Sequence, residues 1–96
     1  MWKRVMPITV ELPEALARHS GGNKEISASG TTVAEALENL WQSHPDLRSR
    51  VVDKSGRIYP YLVVFHNGRR LAPEEAPATE LADGDRLEIM TLAGGG

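Results

Sequence analysis

Residues 83–96 read "DGDRLEIMTLAGGG". An Asp-Gly turn leads into a run in which Leu87 and Ile89 point one way and Glu88 and Met90 the other, the period-two signature of a strand buried on one face. Leu92 extends the Met90 side. The run then passes into Gly94, Gly95 and Gly96, which lose the most backbone entropy on ordering and contribute no packing. Such a segment is either an ordinary frayed terminus or a thin tail kept free of side chains for use. The rest of the chain decides between the two.

Working back from that strand, "APEEAPATELADGD" (72–85) is a proline-containing connection. It follows "YLVVFHNGRRL" (61–71), a β-rich run in which Asn67-Gly68 is a hairpin turn into a short further strand. Leu62, Val64 and His66 share one face of that run; Val63 and Phe65 share the other. Both faces are apolar, so the strand is either covered by two layers or presents an apolar patch. "PDLRSRVVDKSGRIYP" (45–60) is expected to be an irregular turn and a loop closed by Ser55-Gly56.

From Thr32 the period becomes helical, with Val33, Leu37, Leu40 and Trp41 on one stripe. Thr32 and Glu35 form a capping box, and Pro45 requires the helix to stop before it. Towards the start, "VMPITVEL" (5–12) alternates Met6, Ile8, Val10 and Leu12 on one side, with Pro7 placed near the strand start or on an edge. A Ser-Gly-Gly-Asn turn in "ALARHSGGNK" (15–24) then leads to a second strand, "KEISASG" (24–30), with Ile26 and Ala28 on one face. The order is β-β-α-β-β-β. This predicts an α+β domain in which a mixed sheet carries one main helix across one face, packed on Ile8, Val10, Val64, Leu87 and Ile89.

The chain has 96 residues, enough for a single core without staples. It contains no cysteine, which excludes a thiol nucleophile, a disulfide framework and a thiolate metal site. A formal charge of -2 gives no general attraction to nucleic acid. Residues 73–96 hold one basic residue against six acidic ones, a balance that serves solubility or steers towards a basic partner surface. No apolar run approaches membrane-spanning length, and "MWKRVMPITVELP" is broken by Pro7 and Glu11, so neither a membrane span nor a secretory signal is expected and the location is read as cytoplasmic.

No catalytic constellation is visible. His19, His44 and His66 are spread over a loop, a helix end and a strand and form no zinc-ligand arrangement, so no metal is expected. The serines occupy no nucleophile elbow, and Gly21-Gly22 opens no phosphate-binding helix. Arg69 and Arg70 read as charges that guard a sheet edge.

The element order, the Asp-Gly turn before the last strand and the closing "AGGG" together resemble the ubiquitin-like sulfur-carrier proteins of the MoaD and ThiS type. The likeness is stronger to CysO-type carriers, through "HSGGNKEISASGTTVAEAL" (19–37), "HNGRRL" (66–71) and "LADGDRLEIM" (81–90). The resemblance implies a ubiquitin-like β-grasp fold over residues 1–92 and a flexible glycine tail over 93–96. It implies a carrier, not an enzyme: the Gly96 carboxylate is adenylated and converted to a thiocarboxylate, with Gly94 and Gly95 as the thin approach. ATP is used by the activating partner, and no cofactor is held permanently. The implied partners are an E1-like adenylating and sulfur-transferring enzyme, a sulfur-accepting synthase, and a metalloprotease that processes the carrier. The family pattern ends on two glycines where this chain has three, so the match falls on Gly95 and Gly96; trimming would make Gly95 the reactive end. The product is cysteine, a cofactor or a thio-metabolite, with the CysO likeness favouring cysteine. The alternative is a ubiquitin-like modifier conjugated through its terminal glycine.

Within this resemblance the outward side of the last strands, Val63, Phe65, Met90 and Leu92, is expected to dock the activating enzyme, with Glu88, Asp83 and Asp85 as an acidic rim. The competing expectation is that the loop "RSRVVDKSGRIYP" (48–60) folds over that face.

Overall fold

The computed structural model describes residues 7–92. Strand β1 (Pro7–Glu11) buries Ile8 and Val10, and Leu12 follows them into the core. It pairs antiparallel with β2 (Glu25–Ser29), Val10 opposite Ile26 and Ile8 opposite Ala28. Pro7 is the first described residue of the strand. The connection is more than a turn: helix α1 (Glu14–Ala17) and a 3-10 turn (Arg18–Ser20) bury Leu16 and Ala17. Ser20, also buried, sets its hydroxyl against the Ala17 and Asn23 carbonyls, each 2.9 Å away.

Helix α2 (Val33–Ser43) lies across the inner face of the sheet and buries Val33, Ala36, Leu37, Leu40 and Trp41. The Thr32 hydroxyl accepts from the Glu35 amide at 3.2 Å, which satisfies an otherwise orphan first-turn donor. The Glu35 carboxylate accepts from the Thr31 amide at 2.7 Å, so the reciprocal arm of the cap reaches one residue before Thr32. The chain enters this helix over Gly30, where a Cβ would lie 2.5 Å from the Ala36 nitrogen, so only glycine allows this approach.

The expectation of an irregular turn after Pro45 is corrected. Helix α2 does stop at Ser43, but residues Pro45–Val51 form a further helix, α3. Proline lacks only an amide that the first helical turn leaves unpaired anyway, so Pro45 opens α3 as well as closing α2. Leu47 and Val51, one turn apart, are both fully buried. The loop that follows is closed as expected around Ser55-Gly56, with Asp53 Oδ1 accepting from the Ser55 amide (2.8 Å) and hydroxyl (2.7 Å).

Strand β3 (Leu62–His66) turns into β4 (Arg69–Arg70) through Asn67 and Gly68, whose φ values of 49° and 88° are those of a tight hairpin that suits strand twist. The connection to the last strand buries Leu71, Ala76 and Leu81 and is tied to the start of α2 by Val33 N to Thr79 O (3.0 Å) and Leu81 N to Thr31 O (2.9 Å). Strand β5 (Arg86–Thr91) runs parallel to β1 and antiparallel to β3. The sheet order is β2-β1-β5-β3-β4, with helices against one face: an α+β, ubiquitin-like β-grasp arrangement with a mixed sheet, as expected. The helix stripe meets Ile8, Val10, Val64, Leu87 and Ile89 in one core.

Candidate functional site

The strand register decides what the outward face of the sheet presents. On β5, Leu87 and Ile89 go to the core, while Glu88 and Met90 go outward. Glu88 stands opposite Phe65 on β3 and Glu11 on β1; Met90 stands opposite Val63. Beyond the strand end, the Leu92 amide donates to the Tyr61 carbonyl at 2.8 Å, so these two residues form the next row. The structure therefore brings Val63, Phe65, Met90 and Leu92 onto one surface. Met90 and Leu92 are 42% and 43% exposed, Val63 and Phe65 half-buried.

Tyr61 belongs to the same surface and was not anticipated. It is 52% exposed and stacks on Tyr59, ring centroids 5.3 Å apart. The loop within 48–60 does not bury this face: α3 turns Leu47 and Val51 into the core, and Met90, Leu92 and Tyr61 remain open to solvent.

The charged rim differs from expectation. Asp85 is not available to a partner, because its carboxylate is held within the fold. Oδ2 accepts from the Ala82 amide at 2.8 Å and meets His66 Nε2 at 2.7 Å, and Oδ1 accepts from Asn67 Nδ2 at 3.1 Å. These bonds, the Ala82 amide foremost, pull the Asp85 carboxyl down to about 2. Asn67 in turn accepts from the Arg86 amide at 2.8 Å, so this network staples the β3–β4 hairpin to the start of β5. His66 is thus a structural rim histidine. Asp83 is exposed on the turn.

Glu88 stands beside the apolar patch as expected, and it is joined by Glu11 and Glu25, in successive register across β5, β1 and β2. Arg86 reaches over them, its Nη2 3.1 Å from Glu11 and also bonded to Glu25. These carboxylates, Glu25 first, push the guanidinium pKa further up. The outward face is graded: charged over β2 and β1, apolar from Met90 towards the end of β5. Among the described residues, no cluster of His, Cys, Asp or Glu could hold a metal ion, and no helix is long and apolar enough to cross a membrane. Gly94, Gly95 and Gly96, with the proposed tail 93–96, lie outside the described residues, as does Met6.

The chain matches the ThiS family model over residues 10–96. It is 31% identical over 93 residues to the sulfur carrier protein CysO of Mycobacterium tuberculosis, covering 95% of this chain and all of that one. It is 38% identical over 65 residues to small archaeal modifier protein 1 of Haloferax volcanii, covering 68% of this chain and 70% of the relative. Among solved structures, the complex of BexX and CysO from Amycolatopsis orientalis contains a chain that superposes with a TM-score of 0.82 at 29% identity, covering 93% of this chain and 99% of that one. With its β-grasp sheet, and with a match that includes the glycines, this chain belongs to the ThiS family of sulfur carriers and ubiquitin-like modifiers.

Proposed function

We propose that this protein is a sulfur carrier whose working group is the Gly96 carboxylate, with residues 1–92 as the folded domain and 93–96 as its tail. The observation that carries the reading is the end of β5: its outward side becomes apolar and exposed at Met90 and Leu92, the sequence then passes within two residues into the glycines, and the family match extends through them. A carboxylate is a poor electrophile. In the proposed cycle an E1-like partner joins it to the α-phosphorus of ATP, releasing pyrophosphate, and the acyl adenylate then has a good leaving group. A sulfide-level nucleophile attacks the carbonyl carbon, AMP departs with the bonding electron pair, and a thiocarboxylate remains. The carrier then gives up sulfur to a synthase, and a metalloprotease is a further partner for processing. Gly94 and Gly95 suit passage along a channel in which a Cβ would collide. The catalytic groups are the partners', the protein itself acts as a carrier in the cytoplasm, and cysteine is the preferred product class.

The proposed docking surface is Val63, Phe65, Met90 and Leu92, joined by Tyr61, with Glu88 and Glu11 at its rim. Exposed apolar patches with polar borders are commonly partner sites. Docking there would aim residues 93–96 at the partner's nucleotide.

Intact mass spectrometry after incubation with ATP, sulfide and host extract tests the proposal. The expected result is a gain equal to sulfur minus oxygen, localised to the C-terminal peptide and abolished by deletion of Gly96, with the unfolding midpoint unchanged. Full activity in the deleted chain would move the reactive residue to Gly95. The likeness to a small archaeal modifier protein favours a second reading, conjugation of Gly96 to lysines of other proteins. It predicts higher-mass adducts carrying the C-terminal peptide in an isopeptide bond.

A further inference from the structure

The two edges of the sheet are finished differently. The β4 edge is two residues long and both are arginine, the kind of short, charged edge that discourages strand addition. The β2 edge is five residues long, Glu25–Ser29, with neither lysine nor proline in it.

The direction of its backbone groups follows from the ladder. The Leu12 amide donates to the Lys24 carbonyl at 2.7 Å, and the pairs Val10–Ile26 and Ile8–Ala28 continue that register. In an antiparallel ladder the hydrogen-bonded pairs alternate, so Lys24, Ile26 and Ala28 bond to β1. Glu25, Ser27 and Ser29 direct their amides and carbonyls away from the sheet. The Ser29 carbonyl also accepts from Asn39 Nδ2 of α2 at 2.6 Å. A carbonyl has a second acceptor position, so that contact does not close the edge.

We infer that the β2 edge pairs antiparallel with the β2 edge of a second copy of this chain, about a two-fold axis through Ser27. This register is self-complementary. Ser27 exchanges both backbone hydrogen bonds with its counterpart, and Glu25 exchanges with Ser29 of the second copy. Glu25 therefore faces a hydroxyl and not another carboxylate, and its charge is already matched by Arg86 of its own chain. On the helix side, half-buried Ile26 comes beside half-buried Ala28 of the second copy, so each covers apolar surface the monomer leaves partly open. Lys24 faces Gly30, with no like charge opposite. At β4, by contrast, the same operation would set arginines against arginines.

The pair would form one continuous sheet with both outward faces on the same side. The Met90 and Leu92 patch lies on β5, beyond β1 from the shared edge, and stays open in both copies. The inference stands apart from the carrier reading, and either can fail without the other.

The test is sedimentation equilibrium of the full chain from about 10 µM to about 1 mM, a range that brackets weak pairing, together with amide hydrogen exchange by NMR across the same series. The wild type is expected to shift from monomer towards dimer, with the Glu25, Ser27 and Ser29 amides gaining protection as it does. Ser27→Pro should weaken association roughly tenfold or more, because it removes the central donor. In the monomer that donor faces solvent, a position where an edge strand tolerates proline. Ser27→Thr should associate like the wild type. A chain that stays monomeric throughout overturns the inference and leaves the edge without a second copy. Association without protection of those amides overturns it as well, and that readout needs no variant to fold.

Discussion

Asp85 illustrates how one residue can be read correctly as a turn residue and wrongly as a surface charge. It sits where an Asp-Gly turn enters β5, and the turn carries its carboxylate back onto the Ala82 amide, His66 and Asn67. Its carboxyl is held at about 2, below the ordinary 3.8, so the folded state favours the ionised form. The stability this supplies is fully present above about pH 5 and is lost as the pH falls from there towards 2, because acid must protonate a group the fold prefers charged. A contribution on the order of 1–2 kcal/mol is expected, with partial exposure reducing the full linkage value. Asp85→Asn should therefore lower stability at pH 7 and flatten its decline between about pH 5 and pH 2, measured by urea unfolding at stepped pH. A mutant curve parallel to the wild type across that window would remove Asp85 as the cause.

At the scale of elements, what was legible depended on how much pattern each segment offered. Helix α2 carries its stripe over three turns together with a capping threonine, and it starts and stops where the sequence places it. Helix α3 shows only Leu47 and Val51 at helical spacing, and Pro45 was read solely as a terminator, although the same residue is well suited to open a helix. Helix α1 is four residues long, too short for any period to register. On the outward face, alternation along β3 and β5 was enough to place Val63, Phe65, Met90 and Leu92 together. Tyr61 opens the same run and stands two residues before Val63, so the alternation that selects Val63 and Phe65 extends to it, and only the end of the strand pairing hid its place on this face. The Glu11–Arg86–Glu25 cluster joins residues 75 and 61 positions apart, and only the strand register brings them together. Because Leu47 is fully buried, Leu47→Ala should cost about 2–5 kcal/mol in denaturant unfolding. A loss of a few tenths would mean that α3 is not a working part of the core.

At the scale of the whole molecule, the described residues commit one face of the sheet to the core and leave the other uncovered, and the uncovered face divides into a charged half and an apolar half. If the apolar half docks the activating partner, Phe65→Asp and Met90→Asp should each weaken binding by about tenfold or more, the range expected for central interface residues. Met90→Asp, at a position 42% exposed, should keep a wild-type unfolding midpoint, whereas Phe65→Asp sets a carboxylate opposite Glu88 and should lower it, so binding by that variant is compared at a temperature where unfolding shows it fully folded. Calorimetric titration against the activating enzyme is the measurement, and unchanged binding by both variants would place the interface elsewhere. The pairing of β1 with β5 has a separate consequence, for how the chain is made. These strands lie at opposite ends of the described sequence, yet they are parallel neighbours in the middle of the sheet, and β3 also needs β5 as a partner. No native sheet can close until residues 86–91 have been synthesised, and such long-range pairing is slow to form. A nascent chain interrupted before β5 leaves β1 and β3 with open edges and stays accessible to proteolysis. Folding thus acts as a length check, so that a compact, protease-resistant domain is one in which synthesis has already reached the approach to the glycines.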